Sequence, residues 1–426
     1  MIQFDFDKWC CGCTSCANAC PVSAISMQRN GEGFMTPVVD QEECIECGKC
    51  DRSCPHLNTS EDMSDFTMES FRDKSSYLYF SNKEERKNSA SGGFVYEAMR
   101  RVVDSGGYAC GCVWDENLKA KHIVSDQLHD LFRMQSSKYV QSDQTDCFKK
   151  ISGLLKEGKN VVFCGTPCQT AGLKHFLDKT SQEHLISICL ICHGVASPLV
   201  WERWKLIVEK KYKGKLVNVN MRDKSYKGYS TSYSKYTFKS APCAKGKKSG
   251  HASHECGNLE STYLAERSTR NVGMPTFLAD PYIFLFTDDL FLRNSCYHCQ
   301  YKADQNGSDI IVGDFYESTP EAGNMGCSCL IAMTEKGERF ISSLDGTLIK
   351  SDYAKVGRVN AMLWQSVTYN PNRRLFFDKM SSKPDGDPTL FTDFLPFRFY
   401  VKKMMNQLGL FNAYLVLKRK AIRLLK

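Results

Sequence analysis

No stretch of the 426-residue sequence stays apolar long enough to cross a bilayer. The longest runs, such as Leu185–Cys192, fall well short of the about 20 residues a spanning helix needs. The opening MIQFDFDKWC has neither a charged n-region nor an apolar h-region, so no secretion signal is expected. No internal repeat is visible beyond one pair of cysteine runs. The C-x3-C-x2-C triplet is missing too, which argues against radical-SAM chemistry. Composition excludes little else. Hydrophobic residues at 42% and charged residues at 24% are those of an ordinary soluble protein, long enough for two or three domains and a large buried core. What the chain has in plenty is cysteine, 22 in all. In a secreted protein these would suggest disulfides, but their runs call for reduced thiols, so a cytoplasmic, reducing location is expected. The net charge of +8 is concentrated at Lys245–Lys248 and in the C-terminal tail, and favours an acidic protein partner or an anionic substrate.

Eight cysteines form two matching runs, Cys10, Cys13, Cys16, Cys20-Pro21 and Cys44, Cys47, Cys50, Cys54-Pro55. Each reads C-x2-C-x2-C-x3-C-P. Three thiolates on a tight loop grip three corners of one four-iron cube, while the fourth, before Pro, points to the other cube. The expected sets are therefore Cys10, Cys13, Cys16 and Cys54 for one 4Fe-4S cluster, and Cys44, Cys47, Cys50 and Cys20 for the other. Cys11 stands outside the pattern. A zinc ribbon or a disulfide framework is the competing reading, and the proline closing both runs favours clusters. The stretch resembles a bacterial-type ferredoxin domain with two clusters, and residues 1–56 are read as that domain.

Residues 57–76, rich in Ser and acid, read as a linker. From Tyr77 short apolar runs alternate with helical patterns. Strands are expected at 77–80, Tyr108–Trp114, Ala120–Ser125, Val161–Cys164, Leu185–Ile191, Ile310–Val312 and Leu330–Thr334. Helices are expected over Ala90–Asp104 and Asp143–Lys156, from Cys168, and over Pro198–Lys211. The pattern predicts a mixed α/β fold with cofactor loops at strand ends, a small dicluster domain preceding a larger domain over 77–395. Cys168 follows Gly165-Thr166-Pro167 at one strand-to-helix turn. Cys192 follows another strand, and Cys296 and Cys299 form a C-x2-C. Spacing alone leaves two readings for these four, a third cluster or buried core thiols.

Six ordered segments carry a resemblance: ASGGF (90–94), SKYVQS (137–142), GTPCQTAGLKHF (165–176), CHGVASP (192–198), CYHCQY (296–301) and SDIIVGDF (308–315). They are similar to the beta subunits of deazaflavin (coenzyme F420) hydrogenases and dehydrogenases. The similarity runs from about Tyr77 to about Phe377, including TEKG at 334–337 and NPNRRLFF at 370–377. The resemblance implies a flavin, FAD or FMN, beside a third 4Fe-4S cluster held by Cys168, Cys192, Cys296 and Cys299. The sequence departs from the family at Ser136, for a usual Gly, at Ala196, at Asn306, where Arg is frequent, and at Tyr316.

The flavin reading can be weighed on residues. Ser91-Gly92-Gly93 opens a helix, whose N-terminus favours a pyrophosphate, though a capped surface helix gives the same pattern. Lys138, in a polar loop, is a candidate contact for a flavin carbonyl or phosphate. Asp309 and Asp314 flank a short strand, either to orient the flavin or as capping acids. Weaker signals remain. Cys243, His251, His254 and Cys256 are irregularly spaced for zinc and read as a basic loop. Tyr226, Tyr229, Tyr233, Tyr236 and Phe238 interleave with lysines and read as a partly exposed sheet face rather than a nucleic-acid platform. Residues 396–426 form a basic amphipathic helix, suited to a membrane surface, to its own core or to a partner. The reading is a flavin- and iron–sulfur-dependent oxidoreductase that passes single electrons through clusters and pairs through flavin. Its expected partners are a redox protein, such as ferredoxin or a reductase or hydrogenase subunit, and a small-molecule or deazaflavin substrate. The alternative is an electron-transfer subunit with no substrate site of its own.

Overall fold

The structure, a computed structural model, describes residues 2–59, 67–225, 228–229, 233–239, 260–264, 280–317 and 319–407. Its N-terminal part is built on two short helices, α2 (Ser15–Ala19) and α3 (Lys49–Ser53), which follow α1 (Phe6–Trp9) and flank a hairpin of β1 (Ile25–Arg29) and β2 (Met35–Val39). The two cysteine runs share one backbone trick. Gly12 and Thr14 in the first, and Glu46 and Gly48 in the second, all have φ between 51° and 66°. Left-handed residues between the first three cysteines curl the chain into a loop that turns its amide N–H groups inward. The Gly12 N–H duly points at Cys10 Sγ, 3.3 Å away.

The rest of the chain folds around an eight-stranded mixed sheet. Its strands are β3 (Ser76–Phe80), β4 (Tyr108–Trp114), β5 (Ala120–Ser125), β6 (Val161–Gly165), β7 (Leu185–Leu190), β11 (Ile310–Phe315), β12 (Cys327–Ala332) and β13 (Thr347–Ser351), in the order β13-β3-β12-β11-β7-β6-β4-β5. The central four, β11, β7, β6 and β4, run parallel, and the outer pairings are antiparallel. Parallel strands must be covered on both faces, which is why β6 is buried along its whole length. Helices α4 (Phe94–Asp104) and α5 (Leu128–Met134) pack on one face through Met99, Leu131 and Met134. Helices α6 (Cys147–Lys156) and α7 (Pro167–Phe176) pack on the other through Phe148, Ile151 and Leu173. A second sheet, β8 (Lys215–Asp223), β9 (Tyr233–Lys239) and β10 (Glu260–Leu264), is antiparallel. With α8 (Pro198–Tyr212) it builds the largest core, around Trp201, Trp204 and Tyr282.

The expected strands and helices are present with shifted ends, two expectations change and a third, left open, is decided. The first concerns the linker: residues 67–76 are part of the fold, with Phe71 fully buried against Leu78, Phe80 and Val356. In the second, Tyr233, Tyr236 and Phe238 are not an exposed face. All three are buried, and the Tyr236 hydroxyl donates to Asp280 at 2.5 Å while accepting from Trp204 Nε1 at 2.8 Å. Third, the C-terminal helix docks on its own core where it is described, Phe397–Gln407, through Phe399 against Phe284 and Arg398 against Asp288. The remaining tail and the loop with Cys243, His251, His254 and Cys256 lie outside the described residues, as does Tyr226. Among the described residues no helix is long and apolar enough to cross a membrane.

The N-terminal part is not a free module. Phe34, at the hairpin turn, is 1% exposed inside the largest core. Arg29 makes a bidentate pair with Glu202 of α8 at 2.7 and 2.8 Å. Glu32 accepts from Arg373, itself buried.

Candidate functional site

The chain turns from β6 into α7 through Thr166, whose N–H donates to the Gln169 side chain at 2.9 Å, with Pro167 fixing the first helical residue. That turn sets Cys168 in the first turn of α7. Cys192 lies just past β7, and Cys296 and Cys299 lie on and just after a 3-10 turn at Asn294–His298. An Arg293 N–H bond to Val195 O at 3.0 Å and a bridge between Ala196 and Leu292 tie the last two loops together. Cys168, Cys192, Cys296 and Cys299, with Cys11, line one hollow.

Two further hollows lie in the N-terminal part. One is lined by Cys10, Cys13, Cys16 and Cys54, and the other by Cys20, Cys44, Cys47 and Cys50. Each run's fourth cysteine thus joins the other run's first three. Among the described residues no three His, Cys, Asp or Glu side chains close on a single metal ion. The cysteines of each expected set do line a shared hollow.

The first and third hollows share lining residues. Cys11, set aside by spacing, lines both the first and the third, and its thiol faces those of Cys13 and Cys168. Gly172 of α7 packs against Cys13: a Cβ on it would sit 2.9 Å from Cys13 Sγ. Ser15 Oγ closes the seam, donating to Ser53 O at 2.8 Å or Gly172 O at 3.0 Å. The second hollow faces outward, with Cys47 exposed and Ile45 61% exposed.

The third hollow has a distinct chemistry. No carboxylate lines it among the described residues, while Arg293 and Lys302, both 3% exposed, do. Burial pushes the Cys192 thiol up to about 12 and raises Cys299, and Lys302 opposes both shifts. Tyr301, whose buried hydroxyl has no partner among the described residues, borders the first and third hollows. Four thiols, buried cations and an orphaned O–H donor fit an anionic cluster with sulfide acceptors. Spacing had no signal for Arg293, Tyr301 or Lys302 beyond their closeness to Cys296 and Cys299.

The residues expected at a flavin divide. Ser91, Gly92 and Gly93 form a buried turn between β3 and β12 rather than an open loop. Ser91 Oγ donates to Cys327 O at 2.7 Å, and the Gly92 N–H to Ser328 Oγ at 3.1 Å. A Cβ on Gly92 would run into Tyr79 O, and Gly93 takes φ 88° to start α4. Beside this turn, Lys224 Nζ donates to the carbonyls of Arg86, Ser91 and Met325 at 2.9, 2.8 and 2.6 Å. Burial lowers its pKa to about 7. Asp314 pairs with Arg222 at 2.9 Å, and Arg222 reaches Tyr139 Oη at 3.2 Å and lies over the Tyr229 ring. Phe286 then connects Tyr139 to His193 on the wall of the third hollow, with ring centroids 4.9 and 5.4 Å apart.

Two expected flavin contacts are engaged elsewhere. Lys138 Nζ lies 2.8, 2.8 and 3.4 Å from the carbonyls of Arg133, Gln135 and Ser136, so its three protons cap the end of α5. Asp309, at the far end of β11 from Asp314, accepts from Ser187 N–H and Oγ and from Thr334, with Lys174 and Lys336 within 4 Å. Burial pushes its carboxyl up, but Lys174 and these partners outweigh it and hold the pKa below the ordinary value. It anchors strands. Ser136 has φ 65°, which explains why a glycine suits that position, and its hydroxyl donates to Asn220 at 2.7 Å. Asn306 is a buried turn residue, bonded to Ala303 O and Ser308 N–H.

Residues 158–354, which include all three loops of the third hollow, match the family model for the C terminus of the coenzyme F420 hydrogenase/dehydrogenase beta subunit. Residues 9–58 match a 4Fe-4S dicluster domain. The chain therefore pairs a stretch similar to an iron–sulfur dicluster domain with one similar to the C-terminal domain of this oxidoreductase family. Among solved structures, a chain of the F420-reducing NiFe hydrogenase complex from Methanosarcina barkeri is similar over 73% of this chain and 92% of its own, at 13% identity and a TM-score of 0.41. No curated protein matches.

Proposed function

We propose that the chain is an iron–sulfur flavoprotein oxidoreductase with three four-iron clusters and one non-covalent flavin. The observation that carries the reading is that cysteines from three distant loops meet around a hollow adjoining the first N-terminal one. In this reading Cys10, Cys13, Cys16 and Cys54 hold one cluster, Cys44, Cys47, Cys50 and Cys20 the second, and Cys168, Cys192, Cys296 and Cys299 the third. Bound clusters supply one-electron steps, and a bound flavin exchanges those for the two-electron chemistry of an organic or deazaflavin substrate.

The protein's own groups support a flavin between β3, β12 and β8. Lys224 and Arg86 are buried basic side chains whose hydrogen bonds go to backbone carbonyls, beside the N-terminus of α4, a setting that suits a pyrophosphate. Asp314, held by Arg222 among Tyr139, Tyr229 and Tyr316, suits the ring. Ser91, Gly92, Gly93 and Asp314 belong to this site, and Lys138 and Asp309 do not. The family's description as a beta subunit supports a protein redox partner.

The test is the full chain purified without oxygen and reconstituted with iron, sulfide and FAD. Cys299→Ala should lose about four irons, one cube, and keep the other two clusters. Full iron content in the variant would remove the third cluster. A heat-released supernatant without flavin fluorescence would remove the flavin.

A further inference from the structure

The three hollows differ in the charge built around them. Among the described residues the first and second have no Lys or Arg in their lining. Arg52 approaches the second through Cys47 O at 3.1 Å, but from solvent, where water and salt screen it. The third is walled by Arg293 and Lys302. Arg293 is shared, since its Nε donates to Cys10 O at 2.5 Å beside the first hollow. Lys302 belongs to the third alone. Its Nζ donates to Cys192 O at 2.6 Å and Met362 O at 2.8 Å, and it has no carboxylate partner among the described residues. Asp289, behind this wall, faces His193 at 2.6 Å.

A buried, fixed positive charge favours whichever state of its neighbour is more negative, and does so strongly because little water screens it. Reducing a four-iron cluster adds one negative charge, and the charge around a cluster is one of the levers that set its potential. We propose that Lys302 raises the reduction potential of the cluster held by Cys168, Cys192, Cys296 and Cys299 above those of the N-terminal pair, making it the electron sink of the chain. This rests on the third-cluster reading above. Each electron then leaves the outward-facing second cluster, crosses the first, and reduces the third past Cys11 and Gly172. No bond forms or breaks, and a low-potential one-electron carrier supplies the electron.

The experiment is a mediated redox titration of the reconstituted full chain with dithionite, followed by electron paramagnetic resonance. The signal missing from Cys299→Ala identifies the third cluster. If that variant loses neither iron nor a signal, the third-cluster reading itself fails. In the parent, the identified signal should be the first to appear on reduction; if it appears last, the proposal is overturned. Lys302→Gln keeps a donor for the two carbonyls and removes the charge. It should move the third midpoint to lower potential and leave the second cluster's midpoint in place, and Lys302→Arg should restore the parent value. An unmoved third midpoint in an iron-replete Lys302→Gln overturns the assignment, whatever happens to turnover. Should Lys302→Gln fail to hold iron, the order of reduction in the parent still decides.

Discussion

The N-terminal hollows and the third hollow are all lined by cysteines but are built in opposite ways. In the first two, three thiols of each set come from one loop, curled by left-handed residues at Gly12, Thr14, Glu46 and Gly48. The third draws on the turn into α7, the end of β7 and the 3-10 turn at 294–298, which only the sheet order brings together. The local design needs few outside contacts to shape its loop. The convergent one needs the core, and it gains a wall that the core can charge. The contrast is not complete, because the hairpin between the two local runs is itself driven into the largest core.

That anchoring is where the comparison is easiest to break. Phe34→Ala removes a fully buried ring that joins the hairpin to Phe377 and its neighbours. It should cost about 3–5 kcal/mol of stability by urea unfolding. A cost below about 1 kcal/mol would mean the hairpin is an independent module and the two regions are separate after all.

Arg373 sharpens the same point from the other side. Its Nε donates to Leu292 O at 2.9 Å, next to the loop that carries Cys296, while its other nitrogens hold Glu32 of the hairpin. Arg373→Met should cost about 1.5–3 kcal/mol, the range for hydrogen bonds to a charged group. The lower end is favoured because the Glu32 side chain is 28% exposed. Urea midpoints read by iron release should fall for the first and third clusters together. Loss of only one would show that Arg373 is not a clamp between them.

The smallest effect concerns Lys224. Its folded pKa of about 7 lies below the ordinary 10.5, chiefly because of burial. Between those values the unfolded chain binds a proton that the folded chain does not, so stability rises with pH, by at most about 1.4 kcal/mol per unit. Arg86 and Arg222 disfavour the proton and Asp314 favours it. Without added flavin, the melting temperature of the parent should therefore gain on that of Lys224→Met from pH 7 to 9. A constant gap would show that Lys224 keeps its proton in the fold.

Much of this site was legible in the cysteines. The spacing of the two runs already implied the exchange of Cys20 and Cys54 between hollows, since four residues and a proline determine which way a thiol leaves a loop. The strands at Val161–Gly165 and Leu185–Leu190 announced themselves as apolar runs because parallel strands are buried on both faces. The grouping of Cys168 with Cys192, Cys296 and Cys299 came from a resemblance, as spacing left it open.

What the sequence by itself determined was local: loops, caps and strands whose contacts lie within a few residues. Only the tertiary structure decided which loops share a hollow. It put Cys11 between two of them, gave Lys302 to the third, turned Lys138 into a helix cap and tied Asp309 to Ser187 and Thr334. The physical reason is one of range. Hydrogen-bond geometry and periodicity act along the chain, whereas the field of a buried charge and the walls of a cavity depend on what the sheet order carries alongside.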